Sequence, residues 1–108
     1  MSTDYKKLID GANKLATELG LKRIVISLKS NPKPTTIFRR GEITFFAEHD
    51  SFWGGGRDFV RTIQDPTWAD VLRAADESVA ITGDRHHTFL ESVQYDRKKK
   101  HYHFWFGS

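Results

Sequence analysis

The sequence predicts an α+β fold: a single-domain sandwich in which a mainly antiparallel sheet of four to five strands carries two helices on one face, in the order α-β-β-β-α-β-β. Two segments, near residues 3–20 and 65–83, repeat their apolar residues with the helical period. Between and after them run short stretches of β-branched and aromatic residues that alternate with polar ones. Turn residues punctuate these stretches with no internal repeat and no low-complexity linker, so residues 1–108 read as one domain.

The first helix is written in Tyr5, Leu8, Ile9, Ala12, Leu15, Ala16 and Leu19, with Lys6, Lys7, Asp10, Asn13, Lys14 and Glu18 between them. Gly20 supplies a left-handed stop and Leu21 the apolar residue that folds back after it. Gly11, inside the helix, is about 1 kcal/mol worse than alanine there and implies a close packing contact. "KRIVISLK" follows as a strand, with Ile24, Ile26 and Leu28 on one side, and the prolines of "SNPKP" end it. "TTIFRRGEITFFAEH" reads as a hairpin about "RRGE" rather than one strand with a bulge at Gly41. The tandem Phe45–Phe46 indicates that both faces of its second strand are covered.

"DSFWGGGRDFVRTIQ" places three glycines between aromatic anchors. In "DPTW", Asp65 is the expected N-cap, Pro66 the first helical residue and Trp68 the first apolar anchor of the second helix. Its stripe is Trp68, Val71, Leu72, Ala75 and Val79, and Gly83 ends it. "HTFLESVQY", "DRKKK" and "HYHFWF" then form a closing hairpin. In its last strand Tyr102, Phe104 and Phe106 point one way and His101, His103 and Trp105 the other.

Hydrophobic residues at 38% and aromatic residues at 13% are values of a chain that builds a core. No apolar run is long enough for a membrane span, and the amino-terminal residues lack the apolar stretch of a secretory signal. The chain has no cysteine, which excludes disulfides, thiolate metal ligands and cysteine nucleophiles. These features point to a cytoplasmic protein. Net charge is only +3, but residues 1–40 hold nine Lys/Arg against three Asp/Glu, and residues 41–91 hold four against ten. Such asymmetry marks either a basic face for an acidic partner or segments that neutralise each other in the fold.

Four of the five histidines lie in the carboxy-terminal quarter. His101 and His103 share one face of a strand about 7 Å apart, with Asp84, His86 and His87 near the partner strand. That supplies metal-ligand types, but a metal site needs three or four ligands that converge. Asp84 with His86 or His87 has the composition of a general-base pair, yet no nucleophile is marked, and no catalytic residue is assigned. The glycine run with Arg57 is neither a Walker sequence nor a dinucleotide fingerprint. Arg97, Lys98, Lys99 and Lys100 form a basic turn, and Arg39–Arg40 a second basic pair. With exposed aromatic rings, these could read a nucleic-acid strand.

The sequence therefore points first to a small non-enzymatic binding domain without a cofactor, acting as a homo-oligomer or accessory subunit. Its expected ligand or interface residues are Trp53, Arg57, Tyr95, His101, His103 and Trp105. Nucleic-acid binding through the two basic clusters is the principal alternative, and metal or small-ligand binding through the histidines the next.

Overall fold

The computed structural model describes residues 3–49, 56–83 and 87–107. The element order is α1 (Thr3–Leu19), β1 (Val25–Ile26), β2 (Glu42–Ala47), β3 (Phe59–Gln64), α2 (Trp68–Thr82), β4 (Phe89–Asp96) and β5 (His101–Gly107). This is the expected α+β order.

Helix α1 stops as its sequence indicates: the Gly20 N–H donates to the Thr17 carbonyl (3.2 Å) and the Leu21 N–H to that of Ala16 (2.9 Å), the paired bonds of a Schellman motif. Gly11 meets its close neighbour in Asn31, whose amide nitrogen would lie 2.6 Å from an added Cβ and donates to the Leu8 carbonyl. Only the carboxy-terminal half of the α1 stripe reaches the core. Ala12 and Leu15 are buried, whereas Tyr5 and Ile9 are 52% and 39% exposed.

The five strands lie in the order β1-β4-β5-β2-β3. The long ladders, β2 with β3 and β4 with β5, are antiparallel. The β1–β4 and β2–β5 junctions are parallel and register over two residues each. Sheet order is thus mixed at its junctions and mainly antiparallel by length. The β4–β5 hairpin turns at Arg97–Lys100 as expected, with a bulge between Leu90 and Ser92.

One expected hairpin is absent. Thr35–Phe38 does not pair with β2; Ile37 instead bridges Thr67, and the Phe38 N–H donates to the Pro66 carbonyl (2.8 Å). The partner of β2 is β3, whose FVRTIQ alternates buried Phe59 with exposed Val60. The "RRGE" corner is held by Asp65, whose carboxylate accepts the Gly41 N–H at 2.6 Å, while Asp65 itself adopts a positive φ of 47°. The N-cap of α2 is therefore Thr67 rather than Asp65. Thr67 and Asp70 form a reciprocal capping box, which satisfies two backbone donors at the helix start.

Both helices pack on one side of the sheet. The core joins Ala12 and Leu15 of α1, Val71, Leu72, Ala75 and Val79 of α2, and Ile26, Leu90, Phe104, Phe45 and Phe59 of the strands. Phe45 stacks on Phe104 with ring centroids 5.6 Å apart. The link between α1 and β1 is fastened to α2 by Asp76, whose carboxylate accepts the backbone N–H groups of Lys22, Arg23 and Ile24. Gly56 lies so close to the end of α2 that an added Cβ would sit 2.0 Å from the Thr82 carbonyl oxygen. A backbone bond from Arg57 N–H to the Ile81 carbonyl (3.0 Å) holds this approach.

Candidate functional site: the helix-free face of the sheet

Residues that oppose one another across a ladder share a face of the sheet. With Phe45, Phe104, Leu90 and Ile26 in the core, the register places Phe46, His101, His103, Trp105, Val60, Phe89 and Val25 on the face that carries no helix among the described residues. The alternation read from the last strand holds: Phe104 is buried and Trp105 is 57% exposed.

At the centre of this face Phe46 lies against both histidines. His101 stacks on it at 4.7 Å with an interplanar angle of 12°, and His103 meets it edge-on at 5.1 Å. The Lys99 ammonium lies 6.0 Å from the Phe46 centroid, within cation–π range. Phe46 is thus the second of the tandem phenylalanines to be covered, by side chains of β5 rather than by a helix. Burial, reinforced by neighbouring His101 and Lys99 and opposed by Glu48 and Asp96, holds His103 below the usual histidine value. At neutral pH His103 is therefore uncharged.

The β4 side of this row is polar: Ser92 opposes Trp105, Gln94 opposes His103 and Asp96 opposes His101. Gln94, Asp96, His103 and Trp105, with Tyr95, line a groove of about 300 Å³. On the other side, Thr44 and Thr62 join hydroxyls at 2.8 Å. Beyond Phe46 and His103 the β2–β5 ladder ends. There a cleft of about 190 Å³ opens at the sheet end, reaching from Glu48, His103 and Trp105 to Val79 and Thr82 of α2.

The basic turn is built by Asp96. Its carboxylate accepts the Lys98 and Lys99 N–H groups (2.9 and 3.1 Å), and its carbonyl accepts that of Lys100 (2.8 Å). The Lys99 N–H in particular holds the Asp96 carboxyl below its usual range. Lys100 takes a positive φ of 55°. Because β2 runs parallel to β5, Arg39 and Arg40, just before β2, come to the same end of the sheet as Arg97, Lys98, Lys99 and Lys100. Arg39 belongs to the helix side, where its Nε donates to the Tyr102 hydroxyl at 3.1 Å.

The other sequence-predicted residues divide. Tyr95 opposes Tyr102 and touches its ring at 5.0 Å, so its ring lies on the side away from His101, His103 and Trp105. Arg57 is exposed beside the end of α2, apart from the basic turn. Trp53, Asp84 and His86 lie outside the described residues. His101 and His103 have ring centroids 5.7 Å apart, but among the described residues no three His, Asp or Glu side chains converge to hold a metal. His101 Nε2 is buried without a hydrogen-bond partner among the described residues.

Sequence reasoning missed Phe46 and the reach of Lys99 over it. It also missed the pair His49–Asp58 (2.7 Å), which ties the two ends of the β2–β3 connection together. The His49 backbone N–H also donates to this carboxylate at 2.9 Å, and that bond first of all lowers the Asp58 pKa. No helix among the described residues is long and apolar enough to cross a membrane. No family model matches the chain, and neither the curated proteins nor the solved structures contain a significant match.

Proposed function

We propose that the chain is a non-enzymatic binding domain whose working surface is the helix-free face, centred on Phe46, His101, His103 and Trp105. One observation carries this reading: Val25, Val60, Phe89 and Trp105, exposed by 42%, 62%, 42% and 57%, all fall on that face. Single exposed apolar residues are ordinary, whereas several on one unpartnered sheet face mark a contact surface. Aromatic residues are also the side chains most enriched at binding hot spots. A second copy or another protein subunit, as the sequence first indicated, and a nucleic-acid strand are the occupants such a face can take.

The test needs no knowledge of the partner. Indole, a small aromatic probe, is titrated into isotope-labelled protein while the amide and histidine-ring resonances are followed. Saturable shifts confined to β5, Phe46 and the β4 groove are expected. The reading fails if indole instead collects in the groove of Leu28, Pro32 and Trp68 on the far side, or shifts nothing.

A further inference from the structure

We infer that the occupant of the helix-free face is a single-stranded nucleic acid, with its backbone at the lysine turn and its bases on the ring row of β5; this rests on the reading of that face as the working surface. Three observations on this face converge.

The first is charge. Arg40, Arg97, Lys98, Lys99 and Lys100 are exposed at one end of the sheet, and Lys99 extends from the turn onto the face itself, over Phe46. Glu42 at the start of β2 is the exposed acid at this end, and the five cations outnumber it, so a polyanion whose backbone passes here meets several cations at once. A second copy docked about a twofold through the same centre would bring Lys99 close to its own counterpart. The acids at the opposite end, Glu48 and Asp58, are both exposed. Glu48 lines the same cleft as His103 and Trp105, so these acids end a nucleic-acid track at Trp105.

The second is the spacing of rings. His101, His103 and Trp105 alternate along one strand with Cα atoms about 7 Å apart, and the His101 and His103 ring centroids are 5.7 Å apart, so successive rings present separate places for bases. His101 is already stacked on Phe46 and acts as support. Trp105, with more than half its surface open, and the neighbouring His103 are the platforms left for stacking.

The third is what flanks the rings. Ser92 and Gln94 on β4, and Thr44 and Thr62 on β2 and β3, line the row on both sides. Homodimer cores are more apolar than this. A polar border with hydrogen-bonding side chains suits base edges, which a strand without a complement leaves open.

The experiment is fluorescence anisotropy with labelled dodecamers of deoxythymidine and uridine, and with a duplex of equal length, at 50 and 150 mM salt. Single strands are expected to bind more tightly than the duplex. Trp105→Ala should weaken binding about tenfold or more. The triple change Lys98→Gln, Lys99→Gln, Lys100→Gln should flatten the salt dependence, by up to about two in log–log slope. All four positions are exposed, so the variants should keep the wild-type melting temperature, measured alongside. No binding at 50 mM salt, equal binding of the duplex, or indifference to Trp105→Ala overturns the inference. Sedimentation distinguishes the failures. A dimer that Trp105→Ala dissociates puts a second copy on the face, overturning the nucleic-acid assignment while keeping the face as the working surface.

Discussion

Replacing Asp76 by alanine should loosen the joint between α1 and the sheet. Asp76 is 9% exposed, and one of its carboxylate oxygens accepts three consecutive N–H groups, from Lys22 (3.1 Å), Arg23 (2.7 Å) and Ile24 (3.0 Å). Hydrogen bonds to a charged acceptor contribute about 1.5–3 kcal/mol each. Lys22 and Arg23 are exposed, so water replaces much of what their amides lose. The Ile24 amide belongs to a residue only 6% exposed and is left without a partner. The expected loss is about 2–4 kcal/mol, a large fraction of the stability of a domain this size. At roughly 4–8 °C per kcal/mol, the melting temperature should fall by at least about 8 °C.

Urea unfolding followed by circular dichroism at pH 7 measures the Asp76→Ala effect directly. Asp76→Asn should lose less, because it keeps one oxygen for the shared acceptor position. Its new amide group then faces the Lys22 N–H that the second oxygen accepts at 3.2 Å. A loss below about 1 kcal/mol for alanine would show that packing, and not the carboxylate, positions this link.

Two further outcomes follow from the same geometry. Gly56→Ala should destabilise by more than about 2 kcal/mol, because its Cβ would overlap the Thr82 carbonyl oxygen at 2.0 Å; an unchanged thermal midpoint would contradict the close approach. Because His103 titrates below the usual 6.5 in the folded state, the unfolded chain binds more protons just below that value. The stability from its neutral form is complete above about pH 6.5 and is lost as pH falls through the lowered value. Asp58 and Asp96, both lowered from 3.8, add losses of the same sign only as pH falls below about 4. Urea midpoints at pH 7.5 and 5.5 should therefore drop less in His103→Gln than in wild type, and an equal drop would contradict the burial of this ring.

Much of the architecture was legible in local pattern. The carboxy-terminal half of the α1 stripe, the Schellman stop at Gly20 and the alternation of His101–Phe106 are set by residues within a turn or a strand, and those readings hold; Tyr5 and Ile9, in the first half of the stripe, are exposed. What the pattern could not settle was which strand pairs with which. Thr35–Phe38 and Phe59–Gln64 both look extended, and only the bonds from Phe38 to Pro66 and from Asp65 to Gly41 show that the first docks on the entry to α2. The N-cap shifted for a related reason: Asp65 is occupied by that corner, so Thr67 caps the helix.

The candidate face was half legible. His101, His103 and Trp105 follow from period two alone. Phe46 joins them only because β2 lies parallel beside β5, a contact between segments more than fifty residues apart in sequence, and Lys99 reaches it from the turn just before β5. The tandem Phe45–Phe46 was the available cue. The side that Tyr95 takes is fixed by its pairing with Tyr102, which no run of residues around it reveals.

The central claim, that the helix-free face is where this domain binds, is tested most directly by mapping a titration residue by residue. Isotope-labelled protein is mixed with an unlabelled oligothymidine at 50 mM salt, and every amide and the Trp105 indole N–H are followed. The account predicts saturable shifts in β5, in Thr44–Phe46 and in the Arg97–Lys100 turn, with α1 and the outer side of α2 unmoved. Shifts centred on the helices, or on the groove around Leu28 and Trp68, would contradict it.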